Sequence, residues 1–419
     1  MLSTISEKIL ARASGKKEVK AGEIVDANID LAMSHDNAAL VLKIFKKIDK
    51  PNVWNAEKIV IVLDHRTPAN TIHSAESHKL IREFIKKQNI KNFFDVGEGI
   101  SHQVLPEKGF IHPGMLIVGT DSHTTTNGAF GAFATGIGAT DMAAVWSTGK
   151  LWLKVPPTIK FNISGKLSKY VMSKDIILSL LGIIGTDGIN YKACEFYGDT
   201  VDNMSIDSRM CLSNQAMEGG AKVAIVPPDE KTVDYLKPRM EKTYETIRSD
   251  EDAKYEKTFD FDVTDLEPQV ACPDKVDNVK PVGEVTGIKI NQVVLGSCTN
   301  GRLEDFDVAA SILNGKNISR NVRMIVVPAS RSVYLHSIKR GYIEIFLKAG
   351  ATIVNPGCGP CLGLHQGVLA SGECTISSTN RNFKGRMGSP SAQIYLASPA
   401  TIAASAVKGE ITDPRDMIS

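Results

Sequence analysis

"VRMIVVPASRSVYLHSIKRGYIEIFLKAGATIVNPGCGPCLG", residues 322–363, decides the fold class. Its first nine residues are β-branched and apolar, as a buried strand is. Residues 332–350 space apolar side chains as a helix does, and "ATIVNPG" (351–357) is a second strand. The same order recurs upstream. "KIVIVLDH" (58–65) reads as a strand, "SHKLIREFIKKQNI" (77–90) as an amphipathic helix, and "KNFFDVG" (91–97) and "GMLIVGTDSH" (114–123) as strands. Repeated strand–helix–strand units predict an α/β protein built on largely parallel sheets. In such sheets ligands bind beyond the carboxyl ends of strands. Here those ends carry Asp64-His65, Asp121-Ser122-His123 and, after "QVVLG", Ser297-Cys298-Thr299-Asn300, as pieces of one site would.

Between these units the chain changes character. Residues 227–265 are charged and helical at first, then alternate at Phe259, Phe261 and Val263 as an exposed-edged strand does. "PDKVDNVKPVGE" (273–284) has the proline and charge content of a linker. With 419 residues the chain exceeds the size at which one core stops growing, so two or three domains are expected. A hydrophobic content of 42% with 23% charged residues is that of a globular protein. The net charge of +2 argues against a general nucleic-acid surface. Charges break every apolar run near the N-terminus, and no stretch reaches the roughly 18 apolar residues of a membrane span. A cytoplasmic protein is expected.

The seven cysteines are odd in number and irregularly spaced, which disfavours a disulfide framework and favours metal-binding or reactive thiols. Cys358-Gly-Pro-Cys361 admits three readings. A redox dithiol belongs at the start of a helix, but glycines interrupt the segment that follows. Zinc wants a second ligand pair, and Cys374 and His365 supply an incomplete one. An iron–sulfur cluster becomes possible with Cys298, whose small and polar neighbours permit close approach. Three cysteines leave one iron of a cubane without a protein ligand, a position suited to Lewis-acid work. Cys194, Cys211, Cys272 and Cys374 read as core fillers, and His73, His78 and His336 as surface or packing residues. "GIGATD" (136–141) mimics part of a dinucleotide fingerprint without its final glycine. The Gly-rich run 128–138 reads as a place where backbones approach closely.

Four segments in order, "GTDSHTTTNGAFGAFATGIGATD" (119–141), "GSCTNGR" (296–302), "GCGPCLG" (357–363) and "NRNFKGR" (380–386), resemble the signatures of the aconitase superfamily. The similarity runs from Ile24 to the C-terminus. Where aconitase itself has a glutamine after Ala-Met, this chain has Ser34, His35 and Asp36, which sets it apart from aconitase itself within the family.

The resemblance implies three α/β/α domains around a central 4Fe–4S cluster: 1–155 with the Asp-His and Asp-Ser-His loops, 156–285 with the Asn-Glu segment, and 286–419 with the cluster cysteines and substrate arginines. It implies Cys298, Cys358 and Cys361 as cluster ligands, and a hydro-lyase that moves a hydroxyl between adjacent carbons through an unsaturated intermediate. Asp64, His65, His102, Asp121, His123 and Glu218 resemble its acid–base residues, with His102–Asp121 and His123–Glu218 as pairs. A carboxylate beside an imidazole raises its pKa and orients it. Ser34, His35, Ser122, Asn214, Asn380, Arg381 and Arg386 resemble substrate contacts, the arginines suiting carboxylates through their planar fork. The swivelling fourth domain, with a serine base and substrate arginines, is expected from a separate small subunit. The rival of a different class is a non-catalytic iron–sulfur or zinc protein that regulates by binding RNA.

Overall fold

In a computed structural model, residues 2–240 and 244–417 are described, and they fall into two compact units. The first comprises Met1–Val96, Ser101–Ile163 and Ile189–Phe261. The second comprises Gly97–Ile100, Ser164–Gly188 and Asp262–Ser419. The chain is mixed α/β with extended parallel pairing, as the strand–helix alternation predicts.

The first unit is organised by a five-stranded sheet in the order Phe93–Phe94, Ile59–Val62, Leu31–Ser34, Leu116–Gly119, Phe133–Gly136, parallel throughout. Its three middle strands are buried at every residue, which is why they read as unbroken apolar runs. Helix Ile72–Gln88 begins five residues before the predicted start, at Thr71, whose hydroxyl accepts Ser74 N. Phe84 stacks on Trp146 at 5.2 Å and Phe45 meets both edge-on in the core. Such aromatic pairs add about 0.5–1.5 kcal/mol each beyond burial. A four-stranded sheet is ordered Val223–Ile225, Ala193–Tyr197, Thr158–Ser164, Lys257–Asp262. The charged stretch from residue 227 is helical at Glu230–Leu236 and Lys237–Arg239, while residues 241–243 lie outside the described residues.

The second unit holds a seven-stranded sheet, ordered Val279–Pro281, Gln269–Ala271, Gln393–Ala397, Cys374–Ser377, Gln292–Gly296, Arg323–Val327, Thr352–Ile353. The last five strands are mutually parallel, and Gln269–Ala271 is antiparallel to both of its neighbours. Two expectations need correction here. The segment 273–284 is not a linker, because Val279–Pro281 forms the edge strand of this sheet. Proline and charge are what an edge strand tolerates and uses against further pairing, so the composition of an edge mimics that of a linker. The helix predicted over 332–350 is two helices, Arg331–Lys339 and Tyr342–Ala349, broken at Gly341, whose φ of +78° a right-handed helix cannot contain.

Candidate active site

In the five-stranded sheet, Leu31–Ser34 lies between Ile59–Val62 and Leu116–Gly119, all parallel, so their carboxyl ends share one edge. Ser34-His35-Asp36, Asp64-His65 and Asp121-Ser122-His123 therefore emerge together. Gly136 permits this crowding, since a Cβ there would lie 2.8 Å from Asp121 O and from Ser122 Cα. The "HTTTN" run coils as a 3-10 helix over Ser122–Phe130. Thr124 Oγ1 donates to Asp121 O at 2.7 Å and Thr126 Oγ1 to His123 O at 2.6 Å. Asn214 Nδ2 in turn donates to Thr126 Oγ1 at 2.8 Å.

The ionisable groups form a continuous network. Asp64 Oδ1 sits 2.6 Å from His65 Nδ1, and Asp64 Oδ2 accepts Ser101 N at 2.8 Å. His65 Nε2 lies 3.4 Å from Asp121 Oδ2. Asp121 Oδ1 meets His102 Nε2 at 2.8 Å and accepts His123 N at 2.7 Å. His123 Nε2 meets Glu218 Oε1 at 2.8 Å. Burial alone would lower the pKa of His65, but the carboxylates of Asp64 and Asp121 raise it well above 6.5. Burial alone would raise Asp121, but hydrogen bonds from His102, His123 and His65 hold it well below the usual carboxylate range. The His35 ring, stacked on His65 at 4.1 Å, is lowered by burial and by its charged neighbour. The site thus favours the protonated form of His65 and the ionised form of Asp121. A cavity of about 500 Å³ opens beside Asp121 and Ser122, bordered by Tyr191 and by Lys222, whose pKa burial lowers.

The second unit brings the three cysteines together. Cys298, Cys358 and Cys361 are buried and pack with Ile100 and Ala329. Cys298 follows Gly296, where φ is +137° and a Cβ would lie 2.1 Å from Val327 O. Asn380 Oδ1 is 3.5 Å from Cys298 Sγ and 3.6 Å from Cys361 Sγ; turned by 180°, the same amide presents its NH₂ to anionic sulfur. Arg386 Nη2 lies 4.0 Å from Cys361 Sγ, and its buried Nε has no protein partner among the described residues. Cys358 precedes and Cys361 lies within a single 3-10 turn, Gly359–Leu362, where a redox dithiol would begin an α-helix. Three gathered thiols beside an amide and a guanidinium fit an iron–sulfur cluster with three cysteine ligands better than a four-ligand zinc site. Among the described residues no disulfide is present, and Cys194, Cys211, Cys272 and Cys374 are buried.

Of the residues singled out from sequence, Ser34, His35, Ser122 and Asn214 belong to the first unit with the acid–base groups, while Asn380 and Arg386 lie beside the cysteines in the second, to which Arg381 also belongs. Sequence reasoning missed the residues that hold these loops. Asp36 and His78 support Asp64-His65. Buried Arg302 donates to Cys298 O and Thr299 O, each at 2.7 Å, and buried Lys174 to Thr379 O at 2.8 Å, just before Asn380.

A sequence model of the Aconitase family (aconitate hydratase) matches residues 7–287 and 278–409. The chain is 56% identical, over 99% of both chains, to a probable 3-isopropylmalate dehydratase large subunit of Methanothermobacter thermautotrophicus. It is 57% identical, over 93% of this chain and 99% of the relative, to a probable methanogen homoaconitase large subunit of Methanosarcina mazei. A 3-isopropylmalate dehydratase large subunit of Aquifex aeolicus is 50% identical over 99% of this chain and 98% of its own.

Proposed function

Because this chain belongs to the aconitase family, we propose that it is the large subunit of a 3-isopropylmalate dehydratase, a hydro-lyase of leucine biosynthesis. The reaction removes water from 2-isopropylmalate to give isopropylmaleate and adds it back with the hydroxyl on the neighbouring carbon. The observation that carries the reading is the network Asp64–His65–Asp121–His102 with His123–Glu218, at the strand ends of a chain whose full-length relatives bear that name.

Cys298, Cys358 and Cys361 would hold a 4Fe–4S cluster. When bound, that group supplies a Lewis acid for the substrate hydroxyl and carboxylate. The protein's own part is proton transfer and orientation. His65, kept protonated by Asp64 and Asp121, donates toward the departing hydroxyl. Asp121 stays ionised and orients His102, while Glu218 fixes His123. Ser34, His35, Ser122 and Asn214 bind substrate polar groups. Asn380, Arg381 and Arg386 serve carboxylate and cluster, the arginines through paired hydrogen bonds.

The words "large subunit" in relatives of matching length support a small-subunit partner. We assign to that partner the serine base, an arginine and the loop that tells a branched alkyl group from a further carboxylate. In this reading the chain works as three segments, 1–155, 156–285 and 286–419, about the cluster. The odd number and irregular spacing of the seven cysteines suit a cytoplasmic setting. No described helix is long and apolar enough to cross a membrane.

A second reading, a homoaconitase large subunit, is favoured by the 57% identity to the relative of that name. The purified two-chain complex, loaded anaerobically and assayed in parallel on isopropylmalate, homocitrate and citrate, tests both. The highest kcat/KM on isopropylmalate supports the first reading, on homocitrate the second, and turnover of none contradicts both.

A further inference from the structure

We infer that Asp36 and His78 are positioning residues for the Asp64–His65 pair, Asp36 gathering the backbone N–H groups of residues 64–66 and His78 holding Asp36 in place. This rests on the reading that His65 moves a proton.

Strand Ile59–Val62 ends in a turn whose consecutive amides converge on one carboxylate. Asp36 Oδ2 accepts Asp64 N at 3.0 Å and His65 N at 2.8 Å, and Oδ1 accepts Arg66 N at 3.2 Å. Convergent backbone amides of this kind form an anion-binding concavity, and here the chain fills its own. The fourth donor is His78 Nε2, 2.8 Å from Oδ1, reaching down from helix Ile72–Gln88. Both side chains are almost completely buried, at 6% and 2% exposure. A buried carboxylate without such donors is costly, and a buried imidazole N–H needs an acceptor, so Asp36 and His78 satisfy each other and hold each other in place.

The consequence lies in the backbone. Asp64 and His65 are adjacent in sequence, and side chains of adjacent residues ordinarily diverge. Their contact at 2.6 Å requires one particular turn of the chain between them. Asp36 holds both flanking amides, so it fixes that turn and, through it, the direction of the His65 ring. Its charge also favours the imidazolium. The groups facing His65 are Asp64 on its own loop, Asp121 from the neighbouring strand end, and His35 and Asp36 from the end of Leu31–Ser34. Asp121 itself faces His102 and His123. The donor atoms of His35, Asp36, Asp64 and His65 lie within 4.8 Å of one another, but the four hydrogen bonds on Asp36 make this a proton network.

The test combines kinetics of the cluster-loaded two-chain complex with NMR titration of the His65 ring, assigned with His65→Gln. Asp36→Asn removes charge and one acceptor. It should lower kcat about tenfold to a hundredfold at unchanged KM, the scale of misplacing a catalytic group by about an ångström. The His65 ring should titrate at lower pH. His78→Phe should do the same to a lesser degree, and His78→Gln, which keeps an N–H donor, should restore both readouts. If Asp36→Asn and His78→Phe lower thermal stability while kcat per cluster and the His65 titration stay at wild-type values, the pair is structural and the inference is wrong. Should the wild-type complex turn over no substrate, the functional reading fails, and the His65 titration still decides the positioning role.

Discussion

Asp121 Oδ1 lies 2.8 Å from His102 Nε2 while its other oxygen lies 3.4 Å from His65 Nε2, so one carboxylate orients two imidazoles. Replacing it by Asn leaves the shape and removes the charge. Asp121→Asn and Glu218→Gln should each lower turnover by about a hundredfold or more, the scale of lost general acid–base catalysis. Iron and sulfide content should survive. Near-normal rates in both variants would show that these carboxylates are not part of the chemistry.

The pH profile follows from His65. Its folded pKa is raised, so the acid form persists above about pH 6.5 and activity declines only at the higher pH where the ring loses its proton. Asp64→Asn removes the nearest carboxylate and should move the alkaline limb of kcat to lower pH. An alkaline limb unchanged in Asp64→Asn would assign that limb to another group.

Stability carries opposite signs at two buried aspartates. Burial pushes Asp305 up to about 7 against the pull of Arg302. The native state then holds a proton that the unfolded chain releases near pH 4. This contribution is complete below about pH 4 and is lost as pH rises through 7. Asp305→Asn should flatten the fall in urea midpoint between pH 5 and pH 8. Asp36 is the reverse case. Burial alone would raise it, but His78, His65, His35 and the backbone hold it well below its usual value, so its contribution is present above about pH 4 and is lost in acid. An equal pH slope in wild type and Asp305→Asn would contradict the first assignment.

The cysteines divide into two classes. Ala at Cys298, Cys358 or Cys361 should strip iron and activity together, whereas Ala at Cys194 or Cys374 should leave iron loading intact. Stoichiometric zinc with no iron–sulfur absorption after anaerobic reconstitution would overturn the cluster.

Strand ends were legible in the sequence because a fully buried parallel strand is apolar until it stops. The polar residues that follow, Asp64-His65 and Asp121-Ser122-His123, stand out against it. The supports were not. His78 sits among polar residues on an amphipathic helix, and only the packing of that helix turns its ring toward Asp36. Arg302 and Lys174 are long charged side chains that read as surface until the chain closes over them. Residues 273–284 were misread because an edge strand and a linker share a composition. The gathering of Cys298 with Cys358 and Cys361, sixty residues apart in sequence, was expected from family resemblance and not from spacing alone.

On the proposed function, this chain and a small subunit together interconvert 2- and 3-isopropylmalate. The most direct measurement follows both isomers and isopropylmaleate by NMR in deuterated buffer, with the cluster-loaded chain alone and with its partner added. Interconversion through the unsaturated acid is expected when both chains are present, and little or none from this chain alone. Full isomerisation by this chain with no second polypeptide detectable by mass spectrometry, or none by the loaded complex, would contradict it.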